Sequence, residues 1–175
     1  MSTIRTATYD DIPAMQALIA LSGIQLSAGF YTPEQAAAIT REVFGVDTQL
    51  VDDATYFAVE QDGRLVACGG WSKRVTPFGG DQHKRGVDRL LDPATEAARI
   101  RAFFVHPDMA RRGIGRRLLE HCATAARAAG FHQLELTATM PGVPLYEACG
   151  FEKREPVALN LSGVAVPLVR MVRAA

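Results

Sequence analysis

Apolar residues along the chain recur with helical spacing in some segments and crowd into short β-rich runs in others. The first helical segment begins at Asp10-Asp11-Ile12-Pro13, where an acidic cap precedes a first-turn proline, and its spacing continues to about Leu21. A second helix is predicted from Thr32, with Gln35 at the capping-box position, to about Phe44. A short strand over residues 3–8 is expected before both helices.

The middle of the chain is richer in strand-forming residues. Residues 55–60 and 65–71 are β-rich runs, and Gln61-Asp62-Gly63-Arg64 between them is a strong hairpin signal. Residues 76–94 form a polar stretch containing Gly and Pro, which is typical of a functional or mobile loop. A further strand is predicted over residues 97–105.

The C-terminal half begins with an amphipathic helix over residues 114–129 that ends at Gly130. The remaining predicted elements are a strand at 134–139, a short helix at 144–149, and two closing strands at 157–161 and 166–172. The order β-α-α-β-β-β-α-β-α-β-β predicts an α/β fold in which helices flank a mixed central sheet. With 175 residues, we expect a single domain over 1–175 that carries a mobile loop at 76–94.

Charge and cysteine content exclude several classes of function. Nineteen basic residues balance nineteen acidic ones, so no global field would draw the protein to nucleic acid or to an anionic membrane. Cys68, Cys122 and Cys149 are far apart and lack CxxC spacing, which argues against a disulfide framework or a metal site. There is no apolar leader and no apolar run approaching 18 residues, so we expect a cytoplasmic protein without a membrane partner.

A candidate anion site lies where the strand ending in Phe103-Phe104-Val105-His106-Pro107 runs into a glycine turn. Gly113 and Gly115 allow a sharp turn and a close backbone approach, and the first-turn N–H groups of the next helix point outward as donors. The helix dipole adds partial positive charge, which suits a pyrophosphate. Four arginines could contact it: Arg111, Arg112, Arg116 and Arg117. The alternatives are that these arginines form only a solvated charged face, or that they form a weak nucleic-acid-binding patch.

The sequences GxGxxG and GxxxxGK[ST] are both absent, which excludes the usual dinucleotide and P-loop sites. Instead, residues 100–151 resemble the GCN5-related N-acetyltransferase superfamily. Its motif A, [QR]-x-x-G-x-[GA], matches Ala110 to Gly115 except at Ala110 itself. The resemblance implies a GNAT-type sheet, acetyl-CoA as co-substrate, and a β-bulge that frees a strand edge for the pantetheine amides. The implied cofactor-binding residues are Phe103, Phe104, Val105, Arg111, Arg112, Gly113, Ile114, Gly115 and Arg116.

The segment from Thr139 to Phe151 resembles motif B of the same superfamily, N-x-x-A-x-x-L-Y-x-x-x-G-F. Tyr146 matches its tyrosine, whereas Thr139 replaces the usual Asn and Gly142 the usual Ala. The resemblance implies that Tyr146 lies near the thioester sulfur and protonates the departing thiolate, with Thr139 beside the pantetheine arm. The alternative is that Tyr146 is only a packing aromatic on a short helix.

The general base is the open part of the predicted mechanism. Alkyl amines are mostly protonated at neutral pH, and many relatives carry a Glu or Asp on the motif A strand to remove that proton. By strand alternation, Arg99 and Arg101 are expected to share the face of Phe103, and neither can act as a base. Glu96 and His106 are the nearest alternative candidates.

Four residues are predicted on the acceptor side. Arg99 and Arg101 would favour a substrate carboxylate or phosphate, unless they pair with acids of the polar loop. Tyr31 and Trp71 could line a pocket for a small amine, or could be ordinary packing aromatics.

The predicted function is acetyl transfer from acetyl-CoA directly to a primary amine of a small molecule. The alternatives are a protein N-terminal or lysine acetyltransferase and a non-catalytic acyl-CoA sensor. No metal or nucleic-acid partner is expected, and the resemblance allows a homodimer.

Overall fold

A computed structural model of the protein describes residues 1–175 and contains a seven-stranded mixed sheet with helices on both faces. The elements are β1 (Thr3–Thr6), α1 (Ile12–Gln25), α2 (Pro33–Glu42), α3 (Thr48–Asp52), β2 (Tyr56–Gln61), β3 (Arg64–Ser72), β4 (Ala98–Val105), α4 (Ile114–Ala128), β5 (Gln133–Thr139), α5 (Val143–Ala148), β6 (Glu152–Leu161) and β7 (Val164–Ala174). The strands lie in the order β1-β2-β3-β4-β5-β7-β6, and only β4 and β5 pair in parallel. The predicted α/β class is confirmed, with α3 as an additional helix that the predicted order lacks.

Local sequence signals account for several element boundaries. Thr32 caps α2 as predicted: its hydroxyl accepts a bond from Gln35 N at 3.1 Å, and the Gln35 amide accepts one from Thr32 N at 3.0 Å. Asp62 and Gly63 both have positive φ, as the two central residues of a tight β2–β3 hairpin require. Gly130 follows α4 with φ of 94°, the left-handed conformation that ends many helices.

The helices cover the two faces of the sheet unequally. On one face, α1 packs Met15, Leu18 and Ile19 against β2 and β3, while α2 packs on β7. On the other face lies α4, whose Leu118 and Leu119 are fully buried. Shortening either leucine to alanine would cost about 2–5 kcal/mol of folding stability.

The two parallel strands separate soon after they meet. Only Ala98 and Arg99 of β4 pair with β5, opposite Leu134 and Glu135. Beyond this point β4 carries a bulge at Ala102, where φ is +56° and the β3–β4 register shifts. The predicted bulge is therefore present, and residues 100–105 have no partner strand on the β5 side.

The long segment between β3 and β4 contains no helix or strand, and its first part is fastened to the end of α2. Gly80 N donates to Val43 O at 2.8 Å, and Asp81 N donates to Val46 O at 3.0 Å. The Gln82 amide adds a bond to Phe44 O at 2.6 Å. Residues 77–80 are thereby held beside the sheet face that α2 covers.

The described helices include none with the length and apolar character needed to cross a membrane.

Candidate active site

The glycine turn before α4 forms a cradle of free backbone donors. Arg111 and Gly113 have φ of 62° and 80°, and α4 starts directly after them. The first intrahelical bond runs from Arg117 N to Gly113 O at 3.0 Å, and the N–H groups of residues 113–116 have no backbone acceptor. These donors and the dipole of a 15-residue helix make a binding site for an anion such as a pyrophosphate.

The four arginines of this segment separate into different environments. Arg111 and Arg116 border a groove that starts at the cradle, and Arg116 also donates to Ala148 O at 3.2 Å. Arg112 is exposed and lies outside the groove. Arg117 turns away and binds the Ser2 hydroxyl and carbonyl at 2.6 and 3.0 Å. Two of the four are thus placed for an anion in the groove.

The groove, called here the long groove, has a volume of about 590 Å³ and runs from the cradle past β4 to α5. The predicted residues that line it are Phe103, Phe104, Val105, Arg111, Gly113, Gly115, Arg116, Thr139 and Tyr146. Ile114 is buried in the core, so it can offer only its backbone groups to a ligand in the groove. The end of α1 and the loop that follows it add a further wall: Ser22, Gly23, Leu26, Ser27 and Phe30.

These features fit an acyl-CoA. The cradle supplies donors for the pyrophosphate, and the unpaired edge of β4 offers peptide groups to the amides of a pantetheine arm. Gly115 lets the two helices at this site approach closely, because an added Cβ would lie 3.0 Å from Leu145 Cδ2 on α5. The cradle and the helix that carries Tyr146 are thereby fixed relative to each other.

Tyr146 lines the long groove from α5, beside Phe103 of β4. Its half-buried ring makes edge contacts with Phe103 and Phe151, with centroid distances of 6.5 and 5.9 Å. Its hydroxyl has no hydrogen-bond partner in the protein, whereas burial raises its pKa well above the ordinary value. The phenol therefore stays protonated at neutral pH and is free to donate.

The departure from motif B at Gly142 has a steric reason. A Cβ at this position would lie 2.9 Å from Tyr146 Cε2 and 3.4 Å from Thr139 Oγ1. An alanine there would press on the tyrosine ring, so glycine permits the observed ring position.

A second space, called here the small cavity, lies on the α2 side of β4 and has a volume of about 90 Å³. Its walls come from α2, residues 77–80, β4, β5 and β7, and they include Ile39, Val43, Phe78 and Leu168. It shares five lining residues with the long groove: Phe44, Phe103, Phe104, Thr139 and Tyr146. The two spaces therefore meet at the tyrosine.

The expectation that Arg99 and Arg101 share the face of Phe103 is wrong, because the bulge at Ala102 changes the alternation. Gly70 opposes Arg101 and Cys68 opposes Phe104, so three steps on β4 match two on β3. Phe103 consequently faces α4, where a Cβ on Gly69 would lie 2.7 Å from its ring. The two arginines instead face the α1 and α2 side together with Phe104.

Of these two arginines, only Arg101 reaches a cavity. Arg101 is one of the residues that line the small cavity, although its side chain is only 2% exposed and donates to Asp47 Oδ2 at 2.9 Å. Arg99 lines neither space and pairs with Glu135 of β5 at 3.3 Å. Both arginines have acidic partners, although these are not the loop acids considered from the sequence.

Tyr31 and Trp71 lie outside both spaces, so the prediction that they line an acceptor pocket is corrected. The Tyr31 hydroxyl donates to Pro167 O at 2.6 Å and accepts from Met140 N at 3.1 Å, which ties the α1–α2 loop to the sheet. Trp71 is buried on the α4 face, where its ring meets Phe131 edge-on at 5.8 Å. Both are packing aromatics.

Neither of the two general-base candidates from the sequence, Glu96 and His106, lies where the long groove meets the small cavity. Two bonds from Arg89, at 2.7 and 3.0 Å, are the main reason that the pKa of Glu96 falls to about 2. His106 Nδ1 accepts from Asp108 N at 3.2 Å in the turn after β4. Neither side chain lines the long groove or the small cavity, and no Asp, Glu, His or Lys does.

Comparison with known proteins gives the same assignment as the geometry. The sequence model of the acetyltransferase (GNAT) family matches residues 24–151. No curated protein sequence matches the chain.

Solved structures share the fold at low sequence identity. A GCN5-related N-acetyltransferase (aminotransferase, class II) from Rhodopseudomonas palustris has a TM-score of 0.73 at 18% identity, covering 100% of this chain and 96% of its own. The PaiA N-acetyltransferase from Thermoplasma acidophilum, in complex with coenzyme A, has a TM-score of 0.67 at 14% identity, covering 100% and 99%. The ribosomal-protein-S18-alanine N-acetyltransferase from Escherichia coli has a TM-score of 0.60 at 18% identity, covering 99% and 94%. The family match covers most of the chain, and the protein therefore belongs to the acetyltransferase (GNAT) family, whose co-substrate is acetyl-CoA.

Proposed function

We propose that this enzyme transfers the acetyl group of acetyl-CoA directly to a primary amine of a small molecule. The observation that carries the proposal is the small cavity of about 90 Å³, which joins the long groove at Tyr146. We assign residues 1–175 to one acyltransferase domain, in which part of the 76–94 segment forms the wall of this cavity.

The walls of the small cavity favour a small acceptor over a peptide. Residues 77–80 are held against the end of α2 by the bond from Gly80 N to Val43 O at 2.8 Å, and Arg101 binds Gly79 O at 2.7 Å from the strand side. A peptide acceptor needs an extended open groove in which its flanking residues can lie. A cavity with these walls and this volume suits a compact molecule instead.

Each part of the site has a separate task in the proposed reaction. The N–H cradle binds the pyrophosphate, and the free edge of β4 orients the pantetheine arm. Acetyl-CoA supplies the acetyl group as an activated thioester. Tyr146 Oη holds a proton that no protein acceptor shares, and it gives this proton to the leaving sulfur.

No side chain of the two spaces can take a proton from an ammonium at neutral pH. The ionisable residues that line them are Arg101, Arg111, Arg116 and Tyr146. The positive charge of Arg101 also disfavours an ammonium beside it. The acceptor amine is therefore bound as the neutral base, after losing its proton to solvent.

The proposal is tested by two linked assays. Acetyl-CoA and CoA should each raise the melting temperature, because a ligand that binds only the folded state stabilises it. Thiol release should then be measured with a panel of small amines, amino acids and short peptides, with each product identified by mass. Release with small amines supports the proposal, and release with peptides alone would contradict it. Stabilisation by CoA without release by any amine would indicate an acyl-CoA sensor, the alternative that the missing base favours.

A further inference from the structure

The wall of the small cavity that residues 77–80 form carries one large side chain, that of Phe78. Its ring packs against the apolar cluster that contains Ile39, Val43 and Leu168, and these three residues line the small cavity themselves. The ring also lies 5.4 Å from that of His83, measured between centroids. The Phe78 ring is therefore packed among the apolar residues that enclose the cavity on its α2 side.

The position of this wall depends on a backbone contact between Gly80 and Gly45. A Cβ on Gly80 would lie 2.7 Å from both the Cα and the carbonyl carbon of Gly45, a separation that Cβ atoms essentially never show. Neither glycine has φ in the left-handed region, so their backbone conformations do not require glycine. The absence of a side chain at Gly80 instead lets the loop lie directly on the chain that follows α2.

Buried Arg101 holds the same wall from β4. Its terminal nitrogens donate to Gly79 O at 2.7 Å and to Thr76 O at 3.3 Å, so they bind the backbone on either side of Phe78. The guanidinium is itself kept in place by its bond to Asp47 Oδ2 at 2.9 Å. The segment that carries Phe78 is thus fastened on both flanks.

The space left beside Phe78 is small for an organic group. Its volume is about 90 Å³, whereas an apolar cavity of about 150 Å³ holds benzene. In proportion, the small cavity has room for about three or four carbon atoms and not for a phenyl ring. Shortening Phe78 to alanine would remove its ring from the wall and add that volume to the cavity.

From this packing we infer that Phe78 sets the size limit of the acceptor, and that the contact between Gly80 and Gly45 positions the wall that carries Phe78. The inference rests on the proposed function and narrows its substrate class to short aliphatic primary amines. An amine that carries an aryl group would have to displace Phe78 or stay outside the small cavity, with its nitrogen away from Tyr146. Phe78 acts by excluding bulk, and Gly80 acts only through the position of Phe78.

The experiment compares propylamine with 2-phenylethylamine, which share an ethylamine unit and differ only in whether a methyl or a phenyl group follows it. We expect kcat/KM for propylamine to exceed that for 2-phenylethylamine by roughly 10–100-fold. In Phe78→Ala this ratio should fall by about tenfold or more, because the wall no longer excludes the phenyl ring. Each amine is compared between enzymes, so its own pKa cancels. Val87→Ala is the control in the same loop, since Val87 is 73% exposed and lines neither space.

The variant Gly80→Ala tests the positioning part without changing Phe78. The added Cβ meets backbone atoms of Gly45, which cannot rotate away, so residues 77–80 must shift away from Gly45 and widen the cavity. The ratio of the two kcat/KM values should fall in the same direction, by roughly 3–10-fold. Gly86→Ala is the matched control, because its φ of +84° makes alanine strained there while a Cβ would meet nothing within 4 Å. This control strains the loop without moving the wall.

Stabilisation of each variant by CoA reports that it is folded and keeps its cofactor site. An unmodified enzyme that uses 2-phenylethylamine as well as propylamine would overturn the inference and leave the proposed function intact. An unchanged ratio in folded Phe78→Ala would overturn it as well, and a Gly80→Ala enzyme that behaves like Gly86→Ala would overturn the positioning part. Absence of transfer to any amine, with CoA bound, would overturn the proposed function and the inference with it.

Discussion

Tyr146→Phe removes one oxygen atom from the point where the two spaces meet. Because Tyr146 Oη has no hydrogen-bond partner in the protein, its loss should leave folding stability almost unchanged, with a melting temperature within about 2 °C of the parent. The same oxygen holds the proton that the leaving thiolate needs. Removing a general acid of this kind typically lowers the rate by 100-fold or more, which corresponds to about 2.7 kcal/mol in the barrier.

Tyr31→Phe is the matched control. It removes the same hydroxyl oxygen, but from a tyrosine whose hydroxyl is hydrogen-bonded within the fold and lies outside both spaces. The Tyr31 hydroxyl makes two bonds, to Pro167 O at 2.6 Å and from Met140 N at 3.1 Å. Leaving these groups unpaired should cost about 1–3 kcal/mol. For a chain of this size that is a fall of about 2–12 °C in melting temperature, with kcat nearly unchanged at 25 °C.

The assay follows thiol release at saturating acetyl-CoA alongside thermal unfolding of both variants. The reasoning is refuted if Tyr146→Phe retains kcat within a factor of about three, or if its stability falls as much as that of Tyr31→Phe. A Tyr31→Phe enzyme that loses activity at full stability would place Tyr31 in the site after all.

Three further predictions follow from the same geometry. No side chain lining either space acts as a base, and burial raises the pKa of Tyr146, so kcat/KM should rise with pH up to the pKa of the acceptor amine itself. The measurement is a set of pH profiles for acceptors whose amines differ in pKa. A plateau that begins at the same pH for all of them would reveal a protein base. Gly142→Ala should lower kcat more than it weakens CoA binding, because the added Cβ would lie 2.9 Å from the Tyr146 ring. Steady-state kinetics and CoA titration separate the two effects, and equal losses in both would contradict this prediction. Burial raises the pKa of Cys68 to about 12 and that of Cys122 above its ordinary value, so alkylation of the native protein at pH 8 should label only half-buried Cys149. Mass spectrometry counts the labels, and a second label would contradict the burial of Cys68 and Cys122.

The elements that the sequence predicts well are those encoded by local chemistry. The Thr32–Gln35 capping box, the Asp62-Gly63 turn and the stop at Gly130 each depend on residues within a few positions of one another. The cradle was predictable for the same reason, because the glycine turn and the free helix donors are both local features.

What the sequence did not indicate depends on contacts between distant segments. The faces of Arg99 and Arg101 follow from a bulge whose register is set by pairing with β3, and no local pattern marks Ala102 as the bulged residue. Asp47 was missed because its partners Arg101 and Lys84 come from elements 54 and 37 positions away. The local sequence offered one signal for Asp47: it precedes Thr-Gln-Leu-Val in the place of a helix cap, and it caps the five-residue helix α3.

The aromatic residues show a related limit. Tyr31 lies at the end of the α1–α2 loop and Trp71 near the end of β3, both close to the expected site along the chain. Their sequence positions do not determine which face of the sheet each side chain packs against. Trp71 follows the strand alternation to the α4 face, and Tyr31 packs into the cluster between α2 and β7.

The most direct test of the account is a crystal structure of the protein with CoA bound. We predict that the pyrophosphate accepts bonds from the N–H groups of residues 113–116 and that the pantetheine arm runs along the free edge of β4. The sulfur should end within hydrogen-bonding distance of Tyr146 Oη, at the mouth of the small cavity. A pyrophosphate bound away from the cradle, or a sulfur next to a different proton donor, would contradict the account.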